Sequence, residues 1–233
     1  HIAEVLQIFV CIVAEMPVMR TPLQILYLIL VTDLAPSIAL GLEPGQAGIM
    51  RDHPRPKQQP ILLGWMWLST VVNAAILAGV ILSVYIWALD HYVEEFDVQI
   101  ISKRVEEEQQ QGVEEGDTTS LALQKAQTVA FISLVWSENI RAYTSRSFDR
   151  PVCNEMCTNW YMQRAIGVAQ AALYLAIFLP GLSHVLGLRG IHIGWEGWLV
   201  ALAGTAGCLV LCELYKMLGR AKRALCPTPP PKL

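Results

Sequence analysis

The sequence predicts an all-α membrane protein, a bundle of about six transmembrane helices with one long extracytoplasmic loop. Three observations carry that prediction. Of the 233 residues, 54% are hydrophobic and 16% charged, with a mean hydropathy of +0.41, whereas soluble domains carry about a quarter charged residues. Apolar blocks recur at the length of a membrane helix, which needs roughly 20 apolar residues. And ten of the twenty acidic residues lie between Asp90 and Asp117, so the apolar blocks hold little charge.

The elements follow in order. Residues 2–14, IAEVLQIFVCIVA, are apolar but too short to span. Because the chain begins with His inside this apolar run, it is expected to be a fragment whose first helix is cut. Residues 22–42, 63–89, 126–144 and 195–217 have spanning length, and 161–182 is a more mixed fifth, uncharged after Arg164. Two parts result: 1–62, the end of one helix, a second helix and a cytosolic loop, and 63–233, the remaining helices, the acidic loop 90–124 and a cytosolic tail. The stretch LEPGQAGIMRDHPRPKQQP is rich in Pro and Gly and reads as an ordered or extended loop. VEEEQQQGVEEGDTT has the composition of a solvated loop or short exposed helix. The tail CPTPPPKL cannot be helical, since consecutive prolines lack donors and fix the backbone.

Orientation comes from Lys and Arg, which concentrate in cytoplasmic loops. If residues 2–14 end outside, the cytosolic segments hold twelve basic residues and the outer ones five: Arg20, Lys103, Arg104, Lys125 and Arg189. Most of the tryptophans fall near span ends, as interfacial tryptophans do. Membrane lipid is an expected partner and nucleic acid is not.

The chemistry lies in LILVTDLAPSIAL, residues 28–40. An ionisable residue at membrane depth costs about 2.5–3.5 kcal/mol by insertion scales and usually faces the bundle interior, where it marks an ion path. Pro36 lacks an N–H and clashes with the carbonyl four residues back, which is that of Thr32. A freed carbonyl beside the Asp33 carboxylate and the Thr32 hydroxyl is a set of oxygens suited to a hard cation. The alternative is a plain proline kink with Asp33 paired to an arginine. Glu4 lies one turn from His1 on the same helical face. Glu138, in LVWSENIRAY, either joins the site or pairs with Arg141 at i+3. Thr32, Asp33, Glu4 and Glu138 come from three helices, and their convergence would supply oxygens from several directions.

Other polar residues read as structural. Glu213 and Lys216 should form an ion pair. Asn73, Gln7 and Gln24 should make interhelical hydrogen bonds, and Ala75/Gly79 and Ala203/Gly207 suit close helix packing. The pairs Cys153/Cys157 and Cys208/Cys212 lack a second pair at zinc spacing and read as free thiols. No P-loop, Gly-x-Ser-x-Gly or His-Glu-x-x-His motif is present, and no catalytic or cofactor-binding residue is expected.

LQILYLILVTDLAPSIALGLEPGQAGIMRDHPRPKQQPIL resembles the sixth transmembrane helix and following cytosolic loop of P-type cation-transporting ATPases, most closely the sarcoplasmic-reticulum-type calcium pumps. AEVLQIFVCIVAEMP resembles the end of their fifth helix, with Glu4 in the place of an ion-binding glutamate, and SLVWSENIRAYTSRS their eighth, with Glu138 in the place of a glutamate ligand. The resemblance implies a C-terminal transport region running from late in helix five through helix ten, with Glu4, Thr32, Asp33 and Glu138 as cation ligands. It implies Ca2+ or Na+ as cargo, and ATP and Mg2+ only through the phosphorylation, nucleotide and actuator domains of a parent pump; this chain alone cannot hydrolyse ATP. Two positions depart from the pattern. His1 stands where the calcium pumps have an asparagine one turn before the helix-five glutamate, and Ile29 stands where they have one three residues before the helix-six threonine. Calcium, sodium or another cation, and one ion or two, remain compatible. A stand-alone channel or secondary cation transporter using the same carboxylates is the alternative.

Overall fold

The computed structural model describes residues 2–42, 64–93, 118–145 and 159–225. The described residues are almost entirely helical, with no strand among them. In chain order they form α1 (Ile2–Val13), α2 (Pro22–Tyr27), a π-helical segment (Leu28–Asp33), α3 (Leu34–Gly41), α4 (Gly64–Tyr92) and α5 (Thr118–Thr144). There follow α6 (Trp160–Phe178), α7 (Pro180–Leu186), a 3-10 turn (Gly190–His192) and α8 (Gly194–Leu225). His1, Gly45, Cys153, Cys157, the tail prolines and the acidic run from Glu94 to Asp117 lie outside the described residues.

Three continuous segments are long and apolar enough to cross a membrane: Pro22–Gly41, Met66–Tyr92 and Gly194–Gly219. The bent pair α6–α7 makes a fourth if taken as one span. The expected span 161–182 is therefore broken: α6 stops at Phe178 and α7 leaves at 86°. Leu179 is extended (φ −77°, ψ 111°), as a residue before proline prefers, and Pro180 starts the next helix where a missing N–H costs nothing. Gly187, at φ +65°, then ends α7 in the left-handed region.

The expected span 126–144 is inside α5, but α5 is not among the helices apolar enough to span. Packing explains this. Ala126, Val129, Ala130, Phe131, Ile132 and Leu134 are fully buried, because α5 is enclosed by α4, α8 and α6. A helix walled by protein can carry Gln127, Thr128, Ser133, Ser137 and Asn139, all of them buried. The helix also begins at Thr118, so it takes up the last residues of the expected 90–124 loop.

The small-residue expectation needs correction. Ala75 and Gly79 are exposed on α4, and a Cβ at Gly79 or Gly207 would meet nothing within 4 Å. The close approaches are at Gly190, Gly197 and Gly204 instead. A Cβ on Gly204 would lie 2.5 Å from Val84 Cγ2 and 2.9 Å from Ser133 Oγ, which sets the α8 contact with α4 and α5. Asn73 also departs from expectation: its Nδ2 donates to the Ser69 carbonyl of its own helix at 2.8 Å. The Glu213–Lys216 pair forms, at 3.3 Å, and Cys208 and Cys212 are free thiols. Trp136 is half-buried, and its Nε1 donates to Gln170 Oε1 at 3.1 Å.

The connector between α1 and α2 is fastened to the bundle. Tyr85 Oη donates to the Pro17 carbonyl at 3.0 Å, and Gln127 Nε2 donates to that of Val18 at 2.8 Å. Gln24 Nε2 donates to the Leu186 carbonyl at 2.8 Å, tying α2 to α7. This last is the interhelical bond expected of Gln24.

Candidate cation site

The segment carrying Asp33 starts well and then widens. Thr21 caps α2 in a capping box with Gln24, and Pro22 sits where its missing N–H is harmless. From Leu28 to Asp33 the backbone opens into a π-helix, a form that occurs mostly as single wide turns at functional sites. Pro36, three residues on, cannot donate to the Thr32 carbonyl, and the wide turn places that irregularity inside the bundle. Thr32 is buried and its Oγ1 donates to the Leu28 carbonyl at 2.7 Å, which leaves the hydroxyl lone pairs able to accept. Ser37 Oγ donates to the Asp33 carbonyl at 2.7 Å. Asn159 Nδ2 reaches the Ala39 carbonyl at 3.3 Å, holding α3 against the start of α6.

Three of the four expected ligands come together. Glu4 on α1, Asp33 at the end of the π segment and Glu138 on α5 each offer a carboxylate oxygen, and these oxygens lie within 4.8 Å of one another. Thr32, the fourth, is Asp33's neighbour in the same wide turn. Glu4 is buried, on the face of α1 that also carries Gln7 and Cys11. Asp33 and Glu138 share a side-chain hydrogen bond, which a single proton must hold together. Glu138 therefore turns to Asp33 rather than to Arg141 on its own helix. Its Oε2 is buried with no hydrogen-bond partner among the described residues, and an orphaned buried carboxylate oxygen calls for a water, a proton or an ion. A cleft of about 200 Å³ reaches the pair, with Asp33, Pro36 and Leu40 on one wall and Glu138, Arg141 and Ser145 on the other. Oxygens from several elements at this spacing suit a hard cation such as Ca2+ or Na+, without any nitrogen or sulfur ligand.

Ile29 is 40% exposed and offers the cluster no oxygen. One neighbour of the cluster escaped the reading of the sequence. Arg20, counted only as a basic loop residue, is 3% exposed, and its Nη2 donates to Oε1 of buried Gln7. One signal was available: a connector of about seven residues between two apolar helices is too short to hold its charge far from the bundle.

With three to four described helical segments long and apolar enough to cross a membrane, the chain is an integral, multi-pass membrane protein. The chain belongs to the family described as cation transporting ATPase, C-terminus, whose pattern it matches over residues 17–218. It is similar to the endoplasmic reticulum calcium ATPase srcA of Aspergillus fumigatus, at 26% identity over 94% of this chain and 23% of that protein. It is similar to calcium-transporting ATPase 1 of Bacillus cereus, at 22% identity over 93% of this chain and 23% of the relative. Over 31% of this chain, and 6% of the relative, it is 42% identical to P-type sodium-transporting ATPase4 of Plasmodium falciparum. The chain thus spans about a quarter of the length of the two calcium-transporting relatives.

Proposed function

We propose that this chain is the cation-carrying part of an ATP-driven pump, in which Glu4, Thr32, Asp33 and Glu138 ligate the transported ion. The observation that carries the reading is the meeting of three carboxylates from separate elements beside a buried Glu138 oxygen that has no hydrogen-bond partner among the described residues. Isolated buried charges in a membrane protein are costly, so a cluster of three needs a compensating ion or protons. The ion is cargo: carboxylate, hydroxyl and carbonyl oxygens replace its water. The described helices correspond to helices five to ten of the family's transport region, with lipid around the apolar exterior. Phosphorylation, nucleotide and actuator domains elsewhere in the parent chain supply ATP chemistry.

Calcium is favoured by the coverage of the calcium-transporting relatives, and sodium by the higher identity of the shorter match. The test is cation-dependent phosphorylation from ATP in the full-length protein. Asp33→Asn is expected to abolish it and Glu213→Gln, in the distant ion pair, to leave the cation dependence unchanged. Wild-type cation dependence in folded Asp33→Asn would overturn the assignment. Cation flux without ATP or phosphorylation would instead favour a channel or secondary transporter.

A further inference from the structure

Arg20 enters the bundle from the α1–α2 connector. It is 3% exposed. Its Nη2 donates to Gln7 Oε1 and lies 3.6 Å from Met19 Sδ, while Nη1 is buried without a partner among the described residues. Gln7 stands on the same face of α1 as Glu4, three residues on, a rise of about 4.5 Å. The guanidinium is therefore seated about one helical turn from the carboxylate cluster, on the connector side. We propose that Arg20 is a specificity-determining residue, a fixed positive charge that offsets one of the three carboxylates and biases the site against divalent ions. The proposal rests on the cation-site reading of the cluster.

The charges around Arg20 agree with this placement. Burial pushes the guanidinium downward from its ordinary range, and Glu138, Glu4 and Asp33 pull it back up, Glu138 most. Arginine remains protonated through such shifts, so the charge is permanent and needs no titration. With all carboxylates ionised, three negative charges and one positive leave the site with two to neutralise.

The consequence for selectivity is numerical. A fixed charge acts on a bound ion in proportion to the ion's own charge. If removing the guanidinium raises the affinity for a monovalent ion by some factor, it raises that for a divalent ion by the square of the factor. At one to two helical turns and an effective dielectric of about 20, the factor is on the order of ten to a hundred. The divalent-to-monovalent affinity ratio should then rise at least about tenfold.

The experiment is equilibrium binding of radioactive calcium and of radioactive sodium to the purified full-length protein, at one pH and ionic strength. The samples are wild type, Arg20→Gln, Arg20→Lys and Asp33→Asn. The expected result is loss of binding in Asp33→Asn, a calcium-to-sodium ratio at least about tenfold higher in Arg20→Gln, and a ratio near wild type in Arg20→Lys, which keeps the charge but not the fork. If Asp33→Asn binds like wild type, the cluster is not the site and both readings fall. If Asp33→Asn loses binding while Arg20→Gln leaves the ratio unchanged, or Lys and Gln shift it alike, Arg20 is a packing residue and this proposal alone is overturned. Should Arg20→Gln not fold, Gln7→Leu decides: it removes the seat of the guanidinium while keeping the net charge. A ratio shifted in the same direction upholds the proposal, and an unchanged one refutes it.

Discussion

Replacing Glu138 by Gln tests the electrostatics of the cluster most directly. The three carboxylate oxygens lie within 4.8 Å of one another. At that limit, an ion at their centre is about 2.8 Å from each, a few tenths beyond the 2.3–2.6 Å of calcium–oxygen bonds. At an effective dielectric of about 20, one carboxylate at about 2.8 Å contributes about 6 kcal/mol toward a monovalent ion and about twice that toward a divalent one. The loss is partly offset in the cation-free state. Glu138 and Glu4, at up to 4.8 Å, repel by about 3.5 kcal/mol on the same scale, while the Asp33 pair is already bridged by a proton, in whose place the Gln amide can donate. The net penalty is about 2–3 kcal/mol for a monovalent ion, roughly a hundredfold in Kd at about 1.4 kcal/mol per decade. For a divalent ion it is about 8 kcal/mol, which removes measurable binding. The assay is equilibrium isotope binding to the full-length protein, with Glu213→Gln as the unaffected control. Wild-type affinity in folded Glu138→Gln would refute the reasoning, because no buried ligand at this spacing can lose its charge without consequence.

Two further predictions concern packing and stoichiometry. Gly204→Val should destabilise the protein by about 1–3 kcal/mol through overpacking against Val84 and Ser133, whereas Gly207→Ala, in open space, should be neutral or stabilising by up to about 1 kcal/mol; the unfolding midpoints of the two variants check this, and the reverse order would mean that α8 packs by its other face. Because Ile29 supplies no oxygen to the cluster, one ion should bind per phosphorylation site with a Hill coefficient near one, and Ile29→Asn should strengthen binding of a second; two ions bound to wild type in an isotope titration would disprove it.

The site was more legible than the packing. Asp33 and Glu138 stand out because a charge inside an apolar run has no cheap explanation, and Pro36 marks where the helix must open. Arg20 was missed because it sits outside every apolar run, where a charge costs nothing until the connector is seen to be held down by Tyr85 and Gln127. The small-residue pairs misled for a related reason. The i, i+4 spacing of Ala75 and Gly79 says that a face is smooth, not that a partner occupies it, and Gly204 approaches Val84 and Ser133 without belonging to either pair named from spacing. The break at Leu179–Pro180 was readable from the residue before proline, but apolar composition on both sides of it argued for continuity.

The enclosure of α5 bears on how the protein is made. Its neighbours α4 and α8 are apolar enough to settle in a bilayer individually, and α5 is not. Left alone in hydrocarbon, it would present Gln127, Thr128, Ser133, Ser137 and Asn139 to lipid, side chains that in the finished bundle are buried among helices. Integration of α5 therefore has to be cooperative: it leaves the translocation channel against α4 and waits for α8 to close its remaining side. Truncation after Ser145 removes α8 and α6 together, and the polar flank of α5 would then favour the aqueous channel or retention by a chaperone over the bilayer.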